Sequence, residues 1–237
     1  MTTIPAPEDA RRSPTAVDAV AERHLYRLAT LDPLFATEVG IAEHDHLLTD
    51  FSAAAQAGRR AAAADTLAAL GVAPIADHVD AVTVATMRAT LTREIALADA
   101  GESTGVCNVI ASPLQAIRDI FDLMATDTEE QREVFVERVA GIPACLESVV
   151  DGLEHRRRFG PPLARRQVER VAEQAVGAAR AIAANTSSIA ADPAMSHSLR
   201  RALDAADDAF HRFADHLRSD VLHDAQVADG VGRDRYV

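Results

Sequence analysis

The chain contains no lysine and no tryptophan, and its 24 basic residues are all arginine. Acidic residues number 36, for a formal net charge of −12. A nucleic-acid binder needs a basic face to displace phosphate counterions, so this charge argues against that class of partner. Aromatic residues make up only 4% of a chain that is 48% hydrophobic, and much of the apolar share is alanine. Strands favour β-branched and aromatic side chains whereas alanine favours helix, so the composition points to close-packed helices and away from sheet. Cys107 and Cys145 are the only cysteines. They are far apart and neither stands in a CxxC pair, which excludes a disulfide scaffold and a dithiol or zinc motif; both read as buried thiols. No apolar run is long enough to span a bilayer. Residues 1–16 carry Pro5, Pro7 and Pro14 among mixed charges, without the apolar core of a signal peptide or a lipid-anchoring motif. The expectation is a cytoplasmic protein that meets neither membrane nor nucleic acid.

What the sequence does have is helical periodicity. After a disordered segment at 1–16, Val17, Val20, Ala21, His24, Leu25 and Leu28 share one face. Asp32 before Pro33 predicts an N-cap with proline at the first helical position, and that short helix should stop near Gly40. Residues 41–50 read as polar and irregular. Ser52 can cap an alanine-rich helix ending at Gly71, and Val84, Met87, Leu91, Ile95 and Ala98 form the stripe of a longer one. Thr126 and Glu129 have capping-box spacing. The stripe from Phe135 to Leu153 crosses Gly141 and Pro143, where a kink or break is expected. A further helix carries Val168, Val171, Ala175 and Ile182, and 185–193 reads as a loop. Leu199, Leu203, Ala206, Phe210, Phe213, Leu217 and Val221 repeat at spacings of four and three, a stripe that requires partner helices. The fold class predicted is all-α, an irregular multi-helix bundle of about seven to nine helices. The main domain should span 17–227, with a polar tail at 228–237 that shows no packing signal.

Catalytic signatures are missing: there is no His-Glu-x-x-His, GxSxG, P-loop or GxGxxG. Two clusters offer metal-ligating side chains. His44, Asp45, His46 and Asp50 sit in the irregular segment, where local turn hydrogen bonds explain them better than a metal does. His216, Asp220 and His223 stand at i, i+4 and i+7, the spacing of a helix-borne site, yet a solvated helix face accounts for them equally well. His24, inside an apolar stripe, reads as a satisfied core histidine. Arg156-Arg157-Arg158 and Arg165-Arg166 read as solvated faces or carboxylate partners.

Three segments stand out together: Leu31-Asp32-Pro33-Leu34-Phe35-Ala36-Thr37-Glu38-Val39-Gly40, then Ser112-Pro113-Leu114-Gln115-Ala116-Ile117-Arg118-Asp119-Ile120-Phe121-Asp122-Leu123-Met124, then Val231-Gly232-Arg233-Asp234-Arg235-Tyr236. In this order and spacing they resemble the N-terminal half of the bacterial domain of unknown function 885 family (DUF885). The resemblance implies a mostly helical, zinc-peptidase-like protein longer than this chain. Its His-Glu-x-x-His zinc site and acidic ligand would lie in a C-terminal half, where the glutamate activates water. That half is expected to be absent here, so no catalytic, cofactor-binding or metal residue is carried over and zinc belongs to the missing half alone. The resemblance offers Ser112, Gln115, Arg118, Arg233 and Tyr236 as candidate contacts to a cleft or partner domain. It implies a non-catalytic half, inactive alone, that pairs with a separately encoded catalytic half or with itself and meets peptide substrate only in a complete protein. The alternative is a stand-alone helical binding or scaffold module.

Overall fold

The computed structural model describes residues 12–184, 186, 189 and 193–236. It is all-α: 73% is helical, eight helices have seven or more residues, and no strand occurs among the described residues. In chain order the helices, short ones included, are α1 (Ala16–Leu31), α2 (Pro33–Glu38), α3 (Ala53–Val72), α4 (His78–Asp99), α5 (Pro113–Asp119) and α6 (Glu129–Ala140). They continue with α7 (Ile142–Phe159), α8 (Arg165–Ala175), α9 (Ala178–Ala183), α10 (Pro193–His216), α11 (Leu222–Asp224) and α12 (Arg233–Tyr236). A π-helical turn, Leu217–Val221, joins α10 to α11. No described helix is long and apolar enough to cross a membrane.

Local chemistry sets several boundaries where expected. The Asp32 carboxylate accepts from the Phe35 N–H (3.2 Å), with Pro33 opening α2. The Ser52 hydroxyl accepts from the Ala55 N–H at 3.2 Å and starts α3. Gly141 separates α6 from α7. Two boundaries differ. The capping box of α6 is Thr128 with Gln131, not Thr126 with Glu129. The Gln131 Oε1 accepts from the Asp127 and Thr128 N–H groups (2.9 and 3.1 Å), satisfying two donors that Glu129 at the first helical position cannot reach. The helix expected to carry Val168 through Ile182 breaks at Val176 and Gly177 into α8 and α9, although Val168, Val171, Ala175 and Ile182 are all buried. The loop expected at 185–193 falls largely outside the described residues, as does 1–11. Arg12 and Thr15, expected in the disordered segment, are instead tied down. Arg12 pairs with Asp18, Asp77 and Asp80, and Thr15 caps α1.

Two apolar cores result. The larger joins Leu34 of α2, α5 through α10 and the π turn, with Phe121, Phe135, Phe210 and Leu217 among its fully buried side chains. The smaller lies among α1, α3 and α4 and consists of Val17, Val20, Ala63, Leu70, Val84 and Leu91. Where the halves meet, the Phe51 N–H donates to Ser148 Oγ (2.9 Å) and the Ala53 N–H to the Asp151 carboxylate (3.0 Å), so the start of α3 is fastened to α7.

Candidate functional site

A cleft of about 460 Å³ opens along this seam. Its floor is apolar, formed by Phe51, Val106, Pro113, Ala116 and Val149, while Ile110 stands on the rim. Ser112 and Gln115 line it from the start of α5, and Arg59 and Gln56 from α3. Its size and its apolar floor with a few placed polar groups are those of a ligand site.

The segment 101–112 forms one wall, and polar side chains fix its course. Arg156 is buried on α7, and its guanidinium donates to the carbonyls of Gly101, Glu102, Thr104 and Pro161 at 2.9–3.3 Å. It also pairs with the Glu102 carboxylate at 3.1 Å. Burial pulls the Arg156 pKa below the usual guanidinium range, and the contact with Glu102 opposes that shift. Glu102 is held in turn by a two-pronged contact from Arg235, which is the main reason its carboxyl lies below the usual carboxylate range. Gly105 has φ +61° and lies so close to α7 that a Cβ there would come 2.6 Å from the Gly152 carbonyl oxygen. Farther along, Asn108 Oδ1 accepts from the Ile110 and Ala111 N–H groups. Gln167 and Gln174 on α8 hold the Val109 N–H and C=O at 3.1 and 3.3 Å.

Ser112 and Gln115 belong to the same network. Gln115 Oε1 accepts from the Ser112 N–H (3.0 Å) and hydroxyl (2.5 Å), while its amide nitrogen donates to Gln174 Oε1. Across the cleft Arg59 is the one cation among the described lining residues. Its fork donates to Gln56 Oε1 and to the carbonyls of Leu31 and Asp50, and burial lowers its pKa against the pull of Asp32 and Asp50. Of the other candidate contacts, Arg118 does not line the cleft; it pairs with Asp119. Arg233 is exposed on α12, and the side chain of Tyr236 lies outside what the structure describes.

The profile of a family described as "Bacterial protein of unknown function (DUF885)" matches residues 33–237. The chain belongs to the DUF885 family. No curated protein matches it. The matched region holds every cleft-lining residue except Asp32.

Neither histidine cluster of this DUF885 chain converges as zinc ligands must. Among the described residues, no group of three or more His, Cys, Asp or Glu side chains is placed to hold a metal. The Asp45 carboxylate accepts from the Thr37 hydroxyl, and the His44 carbonyl accepts from the buried Arg138 at 3.4 Å, so residues 41–50 wrap an arginine. His216 has Glu154 at its Nε2 (3.2 Å) and Asp220 at its Nδ1 (3.4 Å). Carboxylates at opposite ends of one imidazole cannot converge on a single ion. The segment Leu217–Val221 is wound as π-helix, more loosely than an α-helix. His216 and Asp220 still meet across the i, i+4 step, but the third member, His223, is exposed.

Sequence reasoning missed Arg138, Arg156 and Arg235. A signal existed for two of them: Arg138 follows Phe135 by three positions, and Arg156 follows Leu153 by three, so both occupy stripe positions. Of the two readings of the 156–158 run, solvated face or carboxylate partner, the second holds for its first two residues: Arg156 is buried and meets Glu102, and Arg157 meets Glu154 and Asp224. The expected packing-free tail also packs: Asp229 meets Arg166 and Arg235 meets Glu102. His24 is satisfied as expected, with its Nδ1 2.9 Å from the Thr66 hydroxyl.

Proposed function

We propose that this chain is the ligand-holding, non-catalytic helical part of a zinc-peptidase-like DUF885 protein. On this reading the cleft along α5 receives a peptide-like ligand in extended form. The observation that carries it is the construction of the cleft: an apolar floor beside polar groups whose directions are fixed by the Ser112, Gln115 and Gln174 chain of hydrogen bonds. Preset donors and acceptors of that kind bind a ligand without first paying to order themselves.

The state of the chain's own nucleophiles supports a binding role. Burial pushes the Cys107 thiol up to about 12 and raises Cys145 as well, the opposite of the shift that activates a thiolate. The Ser112 hydroxyl donates to an amide oxygen and not to a base, so it gains no nucleophilic character there. A second reading is a stand-alone helical binding module, in which α3, α5 and α7, with Phe51 and Val106, themselves supply the apolar floor and polar groups of the cleft.

Elemental analysis and a mixed-peptide digest of the purified chain test the proposal, together with NMR titration of a pool of short peptides. Expected are peptide-induced shifts at cleft residues, no cleavage and no stoichiometric zinc. Cleavage with stoichiometric zinc would sink the non-catalytic reading. Absence of shifts at the cleft would sink the peptide-holding one. The stand-alone module is favoured over the partner-seeking part if the chain stays monomeric in sedimentation. Self-association through exposed Val72, Ile75, Val79 and Val82 at the α3–α4 turn would favour the latter.

A further inference from the structure

Between α6 and the first half of α10 runs a groove of about 670 Å³ that shares no lining residue with the cleft. Its floor is apolar, with Val136 and Ala140 from α6 and Met195, Ala202 and Ala205 from α10. Met195 and Ala202 belong to the larger core and Val136 packs on it, so the floor is that core's outer skin.

One lip is acidic. Glu129, Glu133 and Glu137 stand at i, i+4 and i+8 on α6, all exposed and all lining the groove. Arg201 stands on the α10 side. Among the described residues none of these four groups has an ion-pair partner within 4.0 Å. The helix dipole favours Glu129, in the first turn of α6, but disfavours Glu137, in the last. Like charges at i, i+4 also repel along a helix. Helix stability therefore does not explain the row, whereas a cation lying beside it would.

We propose that this groove docks a basic amphipathic helix of a partner protein. Its apolar stripe lies on the floor, its arginines or lysines run along the glutamate lip, and an acidic residue meets Arg201. Helix-in-groove recognition of this kind reads anchors at i, i+3 or i+4, and i+7. Since α6 has 12 residues, a partner of about three turns matches its length. The site is independent of the peptide cleft and survives if that proposal fails.

Fluorescence anisotropy with a labelled 14-residue peptide tests it. The peptide carries leucines at helical spacing flanked by arginines, and a scrambled peptide of equal composition is the comparison. Saturable one-to-one binding is expected, with the scrambled peptide weaker by about tenfold. The variant E129Q/E133Q/E137Q should weaken binding by about tenfold, and Ala205→Trp, which fills the floor, by a similar factor. The variant D204N/D208N/D215N removes the same charge from α10 positions that do not line the groove and should change it less than about twofold. Equal loss in both triple variants would mean diffuse attraction to an acidic protein and would overturn the site. So would equal binding of the scrambled peptide, or no saturable binding. A dimer of the chain that the peptide dissolves would assign the groove to a second copy and overturn the choice of partner.

Discussion

The two cores are built on different principles. Around α10, residues such as Phe121, Phe135 and Phe210 bury large side chains completely, and the helices enclose a continuous apolar interior. The core of the α1, α3 and α4 layer joins only six buried apolar residues, two of them valines on α1 and one an alanine. Polar links do more of the joining there. Arg12 bridges Asp18, Asp77 and Asp80; Arg60 meets Asp99; His24 meets Thr66. Hydrophobic stabilisation grows with apolar area buried, so the α10 region should carry most of the folding free energy. The cleft sits on the seam between a stiff wall and a softer one, a place where ligand binding can shift local order.

Paired core deletions put the largest strain on this contrast. Phe210→Ala should cost about 3–5 kcal/mol, and Leu91→Ala about 2–3 kcal/mol. The location of the loss matters more than the difference in size. Phe210→Ala should lower hydrogen-exchange protection throughout the chain, whereas Leu91→Ala should lower it in α1, α3 and α4 and leave α7 and α10 protected. Uniform loss in both variants would show that the two cores unfold as one. Next in size is Gly105→Ala, at about 2–3 kcal/mol. Both a left-handed φ and the Gly152 carbonyl at 2.6 Å oppose the added methyl. Because the segment is a cleft wall, peptide-induced NMR shifts at Val106 and Ser112 should be lost with it.

Acidification should loosen the polar layer before the apolar one. Burial lowers the His24 pKa below its ordinary 6.5. A histidine whose folded pKa is depressed contributes stability above the unfolded value, and that contribution fades as pH falls through the folded one. Asp80 adds a second step. Burial alone would raise its carboxyl, but hydrogen bonds from the Ala76 N–H, Thr15 and Arg12 hold it below its ordinary 3.8. Its contribution is present above that value and is lost as pH falls below it. Exchange protection in α1 and α4 should fall first below about pH 6 and again below about pH 4, ahead of α10. Simultaneous loss in α10 would contradict the division. Asp80→Asn should abolish the lower step alone.

Much of this architecture could be read from neighbouring residues. The caps at Asp32 and Ser52 and the long stripe through Phe210 are local signals, and local signals survive folding unchanged. The family resemblance was legible in short segments for the same reason. The interior arginines were not, because an arginine at a stripe position looks like a charge until the carbonyls that receive it are known. Arg138 is buried among the carbonyls of Pro33, His44 and Leu47, and burial lowers its pKa to about 10. Those acceptors lie more than 90 positions away. The cleft had the same difficulty: Phe51, Arg59, Val106, Gln115 and Val149 come from three stretches of chain far apart in sequence. Only Ser112 and Gln115 had been singled out beforehand, and from a motif rather than from geometry.

The smallest effect is the most informative about the seam. Arg235 and Glu102 are each about three-quarters covered, with side-chain exposures of 25% and 24%. Partly exposed pairs of this kind contribute about 0.5–1 kcal/mol, so Arg235→Ala should lower global stability by no more than that in chemical denaturation. Glu102, however, also meets Arg156, whose fork sets the course of the 101–104 backbone. If Arg235 helps position that carboxylate, its removal should raise hydrogen exchange at 101–105 out of proportion to the small global loss. Glu102→Gln and Arg235→Ala should then be non-additive, with a coupling of about 0.5 kcal/mol. If exchange at 101–105 stays unchanged, Arg156 and the Gly105–Gly152 contact hold the wall without help. The α12 segment would then be fastened to the cleft without shaping it.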